Sequence, residues 1–229
     1  QGVNSTVAND NHGIQTEFYL TEMRSDNTRT KSQEGEAAQF EFYTIESTNG
    51  IVGDYYRSMY DVIFRANTVI ENLGVATTQA GQFEGEAKFV RAYAYYNLVR
   101  LFGDVPLLDR VVDPSETDIQ FTRVASSTIY ELIVSDLTTA ISGLEASYRT
   151  RASKPAAQAL LAKVQLSLGN YGEAKSLCES VMAAGYSLEP EFKDIFYTED
   201  NNEVIFSVGY ISDDENDSQN YSAEMLNAV

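Results

Sequence analysis

The chain has 229 residues, 43% of them apolar, which is enough for one well-packed domain or two small ones and is not the composition of a disordered segment. Acidic side chains outnumber basic ones 34 to 16, and a net charge of -18 makes nucleic-acid phosphates and anionic lipid headgroups poor partners. The single cysteine, Cys178, and the single histidine, His12, exclude an internal disulfide and a zinc or copper cluster of His and Cys, and no apolar run approaches the ~20 residues of a membrane-spanning helix.

Residues 1–16 are polar and without periodicity, and read as a tail. The chain opens on Gln1-Gly2-Val3-Asn4 with no charged and then apolar signal segment. A short element is expected from Thr16 to Met23, followed by an exposed polar loop from Arg24 to Ser32. From about Asp54 to Leu73, Tyr56, Met59, Tyr60, Ile63, Ala66, Asn67 and Ile70 recur at helical spacing, with Asp54 as the expected N-cap and Gly74 as the stop. A second helix is expected over about Phe83 to Phe102. Its apolar and aromatic residues fall on more than one face, so it must lie between neighbours. Gly103 can end that helix in a left-handed conformation, and Pro106 turns the chain into an extended run.

A third helix is expected from about Thr128 to Leu144, with a stripe of Tyr130, Ile133, Leu137, Ile141 and Leu144 and a capping box of Thr128 and Glu131. Two more, about Pro155 to Leu168 and Tyr171 to Ala184, are joined by Gly169-Asn170, a link that admits only an antiparallel pair. The small and large residues Ala159, Leu160, Ala162, Leu166, Tyr171, Ala174 and Val181 follow the rhythm of a tetratricopeptide (TPR) unit. Gly103 and Gly169 stand about two such periods apart, leaving room for one further pair of helices between them. Beyond Gly185 a short helix at 192–196 and a strand over Glu203 to Val208 are expected. The residues from Ser212 are acidic and polar, and the ending Met225 to Val229 carries no stop signal and reads as a cut.

The fold class read from these elements is mainly α: TPR-like antiparallel helix pairs over about 54–184, stacked as a short right-handed array, with a small strand-containing C-terminal segment. Residues 17–229 are expected to form one domain.

Several blocks, in order, resemble the SusD/RagB family of outer-membrane nutrient-binding lipoproteins of Bacteroidetes. They are Glu22-x-x-Ser25-Asp26, Tyr60-x-x-Ile63-x-x-Ala66-Asn67, the run from Arg91 to Pro106, the pair from Ala159 to Ala174, Gly185-Tyr186-x-Leu188 with Phe192 and Phe196, and Asn202 to Ser207. The resemblance spans about 17–210 and implies the N-terminal half of a longer protein. It also implies a place on the external face of the outer membrane through an N-terminal lipidated cysteine, which is not found near Gln1, and a role as ligand-capturing partner of a SusC-like TonB-dependent transporter. Oligosaccharide is the cargo implied first and peptide, as for RagB-like members, the alternative.

Sugar recognition needs a flat apolar face flanked by planar polar groups that reach vicinal hydroxyls. Asp26, Asn27 and Arg29 offer the polar half on one exposed loop, where the family resemblance also implies ligand contacts, and Tyr43 and Tyr55 are the nearby aromatics. A solvated turn in which Asp26 or Asn27 bonds the local backbone, with both tyrosines packed against helices, accounts for the same residues. Tyr93, Tyr95, Tyr96 and Arg100 read as core packing, with Arg91 and Arg100 paired to acids or carbonyls. The acidic stretch Asp213 to Asp217 lacks the glycine and distal Glu of an EF-hand and reads as solvated, not as a calcium site. No phosphate-binding glycine loop, nucleophile elbow or singled-out carboxylate pair is present, so no enzymatic activity, catalytic residue, metal or cofactor is expected. The rival reading is a scaffold whose TPR groove holds a peptide or a partner helix.

Overall fold

A computed structural model describes residues 13–30, 34–113, 115, 116, 119, 121–145, 150–198 and 201–208. The polar tail over 1–12, residues 31–33 of the polar loop, the acidic stretch at 213–217 and the ending at 225–229 lie outside the described residues. The chain divides into two compact units, one of residues 1–62 with 210–229 and one of residues 63–209.

In the first unit, helix α1 (Gly13–Thr21) runs into a 3-10 turn at Glu22–Arg24, and the short helix α2 (Ala38–Glu41) precedes the start of α3 (Gly50–Glu71). Helix α1 begins at Gly13, so the last residues assigned to the tail are helical. Among the described residues, the buried apolar side chains here are Leu20, Met23, Ala38, Phe40, Ile51, Tyr55, Met59 and Val62, with Tyr19 stacked on Phe40 at 6.2 Å. Helix α3 starts four residues before the expected cap. Asn49 accepts from Val52 N (3.2 Å), and the Glu36 carboxylate accepts from Gly50 N (2.7 Å), so Asp54 sits inside the helix. Gly74 lies within a 3-10 turn at Leu73–Val75 and does not end the helix.

The second unit is a succession of helices, each packed chiefly on the next: α4 (Ala80–Phe102), α5 (Ser126–Gly143), α6 (Lys154–Ser167) and α7 (Tyr171–Met182). Helix α4 is buried on every side from Ala94 to Val99, as its two-faced pattern requires, and Gly103 ends it at φ +68° with its N–H on Val99 C=O. Helices α5 and α6 occupy the interval between Gly103 and Gly169. The backbones of α4 and α5 all but touch, since a Cβ on Gly143 would lie 2.4 Å from the Gly81 carbonyl oxygen. Ser153 caps α6 through Ala156 N, Pro155 follows in the first turn, and Gly169 at φ +79° turns the chain into α7.

The expected capping box does not form. Helix α5 starts at Ser126, whose N–H is taken by the Asp104 carboxylate at 2.8 Å, and this leaves Thr128 already inside the helix. Strand structure also falls elsewhere than expected. The two-stranded antiparallel sheet joins β1 (Val105–Pro106) to β2 (Arg123–Val124), whereas 203–208 form no strand. That segment follows a turn in which side chains take the backbone donors: Asn201 Oδ1 accepts from Glu203 N and Val204 N, and Glu189 accepts from Asn202 N. Phe206 meets Phe89 of α4 edge-on at 5.2 Å, so the run is held by packing and not by a ladder. The short helix expected at 192–196 is found as α8 (Asp194–Tyr197).

Candidate functional site

The polar loop after α1 is built by its own hydroxyls. Ser25 Oγ donates to Glu22 C=O at 2.7 Å and accepts from Asn27 N at 3.3 Å, and Thr28 Oγ1 donates to the same carbonyl at 3.0 Å. The turn is thus closed by Ser25 and Thr28, leaving Asp26, Asn27 and Arg29 exposed, with no side-chain hydrogen bond to another described residue.

Two tethers hold this loop against α2. The Glu41 carboxylate accepts from Thr30 N and Thr30 Oγ1, both at 2.7 Å, and those two bonds hold its pKa below the usual value. Tyr43 OH donates to Arg24 C=O at 2.5 Å. Tyr43 has a left-handed backbone, φ +56°, in which a bulky side chain is strained, and the residue remains 65% exposed. Such outliers persist only where neighbours hold them, and here they keep an aromatic face fixed beside the polar loop. Phe42 and Ile45, close to it in the chain, are exposed too. The backbone leading away is clamped by Gln39 Oε1, which accepts from Glu46 N (3.1 Å) and from the buried Asn49 Nδ2 (2.8 Å).

The structure therefore brings Tyr43 to the loop of Asp26, Asn27 and Arg29. It does not bring Tyr55, which is buried in α3 at 6% exposure. Phe42, Ile45 and the anchor Glu41 escaped the sequence reading. The signal for them was the alternation in Phe40-Glu41-Phe42, which buries one ring and exposes the next.

The buried polar groups around Arg91 and Tyr95 in the second unit are structural. Arg91 Nε and Nη2 donate to the two oxygens of Asp136 (2.7 and 2.8 Å), and Nη1 donates to Asn67 Oδ1 (2.7 Å) and Asp109 C=O (3.1 Å). Burial pushes the Asp136 pKa up, and the Arg91 bonds pull the other way. Tyr95 OH takes both N–H and C=O of Leu108, Tyr96 OH reaches Lys163 C=O and Ser167, and Arg100 lies over the Tyr96 ring and bonds Asn97. These aromatics pack and bond internally, as read.

Comparison with known proteins decides the family. A SusD-like family model, described as starch-binding and associating with the outer membrane, matches residues 1–166. The chain belongs to the SusD-like family. It is 33% identical over 182 residues to SusD-like protein P2 of Formosa agariphila, an alignment covering 74% of this chain and 36% of that protein. Among solved structures it is similar to a laminarin-binding SusD-like protein, with 26% identity, a TM-score of 0.76 and coverage of 88% of this chain and 46% of that one. A SusD superfamily protein from Bacteroides vulgatus shares the fold at a TM-score of 0.80 and 22% identity, over 90% of this chain and 46% of that one. The chain spans a third to two fifths of the length of the curated SusD-like relatives it matches.

Proposed function

We propose that this SusD-like chain is a non-catalytic binding module that captures oligosaccharides on the face formed by Asp26, Asn27, Arg29 and Tyr43. In this reading it serves at the extracellular side of the outer membrane, held by a lipid anchor, as partner of a SusC-like TonB-dependent transporter. The observation that carries it is the exposed Tyr43 ring, tethered through its hydroxyl beside three polar side chains that hydrogen-bond no other described residue. A pyranose C–H face can stack on the ring while carboxylate, amide and guanidinium groups bond its hydroxyls. The laminarin binding of a structural neighbour and the starch-binding description of the family support the same ligand class.

Each protein–sugar hydrogen bond replaces one to water and nets about 1 kcal/mol, so three such bonds and one ring stack give about -4 to -5 kcal/mol, a Kd near the millimolar range. The test is a glycan array run beside a peptide pool. The wild type is compared with an Asp26→Ala/Arg29→Ala double variant and with Tyr43→Asn, which tolerates the left-handed backbone but lacks the ring. Glycan retention lost in both variants is expected. Peptide binding alone, or glycan binding indifferent to both variants, would overturn this reading.

A further inference from the structure

Between β1 and β2 the chain makes an excursion that the glycan face does not use. Pairing of Val105 with Val124 and of Pro106 with Arg123 closes its base. Above that base lies a cavity of about 200 Å³, lined by Pro106, Leu108, Asp109, Arg110, Phe121 and Thr122 among others.

One wall of this cavity is irregular backbone, yet side chains of α3 and α4 hold it along its length. Tyr95 OH bonds both N–H and C=O of Leu108 (2.6 and 3.0 Å), and Asn67 Nδ2 donates to Leu108 C=O (3.0 Å) and Arg110 C=O (2.9 Å). Arg91 takes Asp109 C=O, and the Glu71 carboxylate accepts from Val111 N at 2.7 Å. Asn67, Arg91 and Tyr95 are all buried. Burying an amide and a guanidinium to hold a surface segment does little for a hydrophobic core, but it keeps the shape of a recognition site.

The side chains on this wall are sorted. Arg110 is occupied by Glu116 through two parallel bonds of 2.9 and 2.8 Å, and Glu116 also accepts from Asp113 N. Asp109 is exposed, and its carboxylate makes no hydrogen bond to another described residue. Phe121, 58% exposed, lines the same cavity, as does Thr122.

We propose that this cavity is a second glycan subsite that takes one neutral pyranose ring, stacked on Phe121 with two of its hydroxyls on Asp109. The proposal rests on the glycan-binding reading above for its ligand class. The size supports one ring and not a chain, because sites that enclose drug-sized ligands run to about 300–1,000 Å³. The charge supports a neutral sugar. Asp109, Glu116, Glu71 and Asp113 outnumber Arg110 along the wall and leave it negative, so a uronate or sulfated ring would be repelled.

The test is a two-dimensional NMR titration of the protein with methyl β-glucoside, methyl β-galactoside, methyl β-xyloside and methyl β-glucuronide. Amide shifts at 108–112 and 121–124 are expected with at least one neutral glycoside and not with the glucuronide. The same shifts should appear in Tyr43→Asn and weaken at least tenfold in Phe121→Ala and in Asp109→Asn. Shifts confined to 24–30 and 40–45 would overturn the second subsite and leave the first reading standing. Shifts at 108–112 and 121–124 alone would do the reverse. A glucuronide that binds as well as the neutral glycosides, or an absence of shifts at 108–124 with every probe, overturns the proposal.

Discussion

Arg91→Met tests the buried network that links α3, α4 and α5. The guanidinium makes four hydrogen bonds, two of them to Asp136, whose side chain is 2% exposed. Methionine keeps most of the packing volume but removes the hydrogen-bonded counter-charge of the buried Asp136 carboxylate, which costs about 3–5 kcal/mol, a large share of the roughly 5–15 kcal/mol that holds a typical domain. Replacing Asp136 with leucine in the same chain removes the stranded charge. What then remains unmade is chiefly the bond at Asn67 Oδ1, a buried acceptor worth about 1–3 kcal/mol, because the Asp109 carbonyl sits in an exposed residue that water can reach.

The double variant Arg91→Met/Asp136→Leu is therefore expected to be about 2 kcal/mol more stable than Arg91→Met alone, measured by urea unfolding at neutral pH. The pH dependence has a definite sign. Burial raises the folded pKa of Asp136 above its unfolded value, and without Arg91 only the smaller pull of Lys88 opposes that rise. The folded state then binds the proton more tightly, so the Arg91→Met deficit shrinks as the pH falls through the raised folded pKa toward the ordinary Asp value. A double variant no more stable than the single one, or a deficit that grows on acidification, would refute the reasoning.

Two glycines should respond oppositely to alanine. Gly53 lies in α3, is exposed, and a Cβ added there would meet nothing within 4 Å, so Gly53→Ala is expected to stabilise by about 0.5–1 kcal/mol. At Gly143 the new Cβ would lie 2.4 Å from backbone oxygen, so Gly143→Ala should destabilise by about 1–3 kcal/mol, and thermal melts of both variants check the contrast. Glu116 should titrate well below an ordinary glutamate, at about 2, because it accepts from Arg110 and from Asp113 N. In Arg110→Gln, side-chain carboxyl NMR should find its midpoint moved up toward the normal range, and an unmoved midpoint would mean that the Arg110 bonds are not its cause.

The helices were legible wherever their boundaries are set by neighbours in sequence. Gly103 and Gly169 adopt positive φ as their positions demand, and Ser153 and Pro155 start α6 locally. Two of the misread boundaries are set from a distance. The start of α3 is held by Glu36, 14 residues upstream, and the start of α5 by Asp104, 22 residues upstream, so local signals at Asp54 and Thr128 pointed to later starts. The strand expected at 203–208 had the composition but no partner, and a strand is defined by its pairing. At the candidate site, the exposure of Asp26, Asn27 and Arg29 followed from polarity. The left-handed Tyr43 and the tether from Thr30 to Glu41 have no periodic signature. The cavity beside β1 and β2 was invisible for another reason: Arg91 and Tyr95 read as packed and paired, as they are, but nothing in the sequence said that the carbonyls they reach belong to the segment 108–110.

Residues 108–111 belong to no helix or strand, yet Leu108 N bonds a phenol and Val111 N a carboxylate, both rooted in helices. Such a segment unfolds only when its anchors let go, so in cooperativity it is part of the helix bundle and not of the surface loops. The Leu108 amide, bonded to the buried Tyr95, would exchange with solvent at a rate close to those of α4, and sequence changes inside α4 would be felt along this segment as changes in local opening.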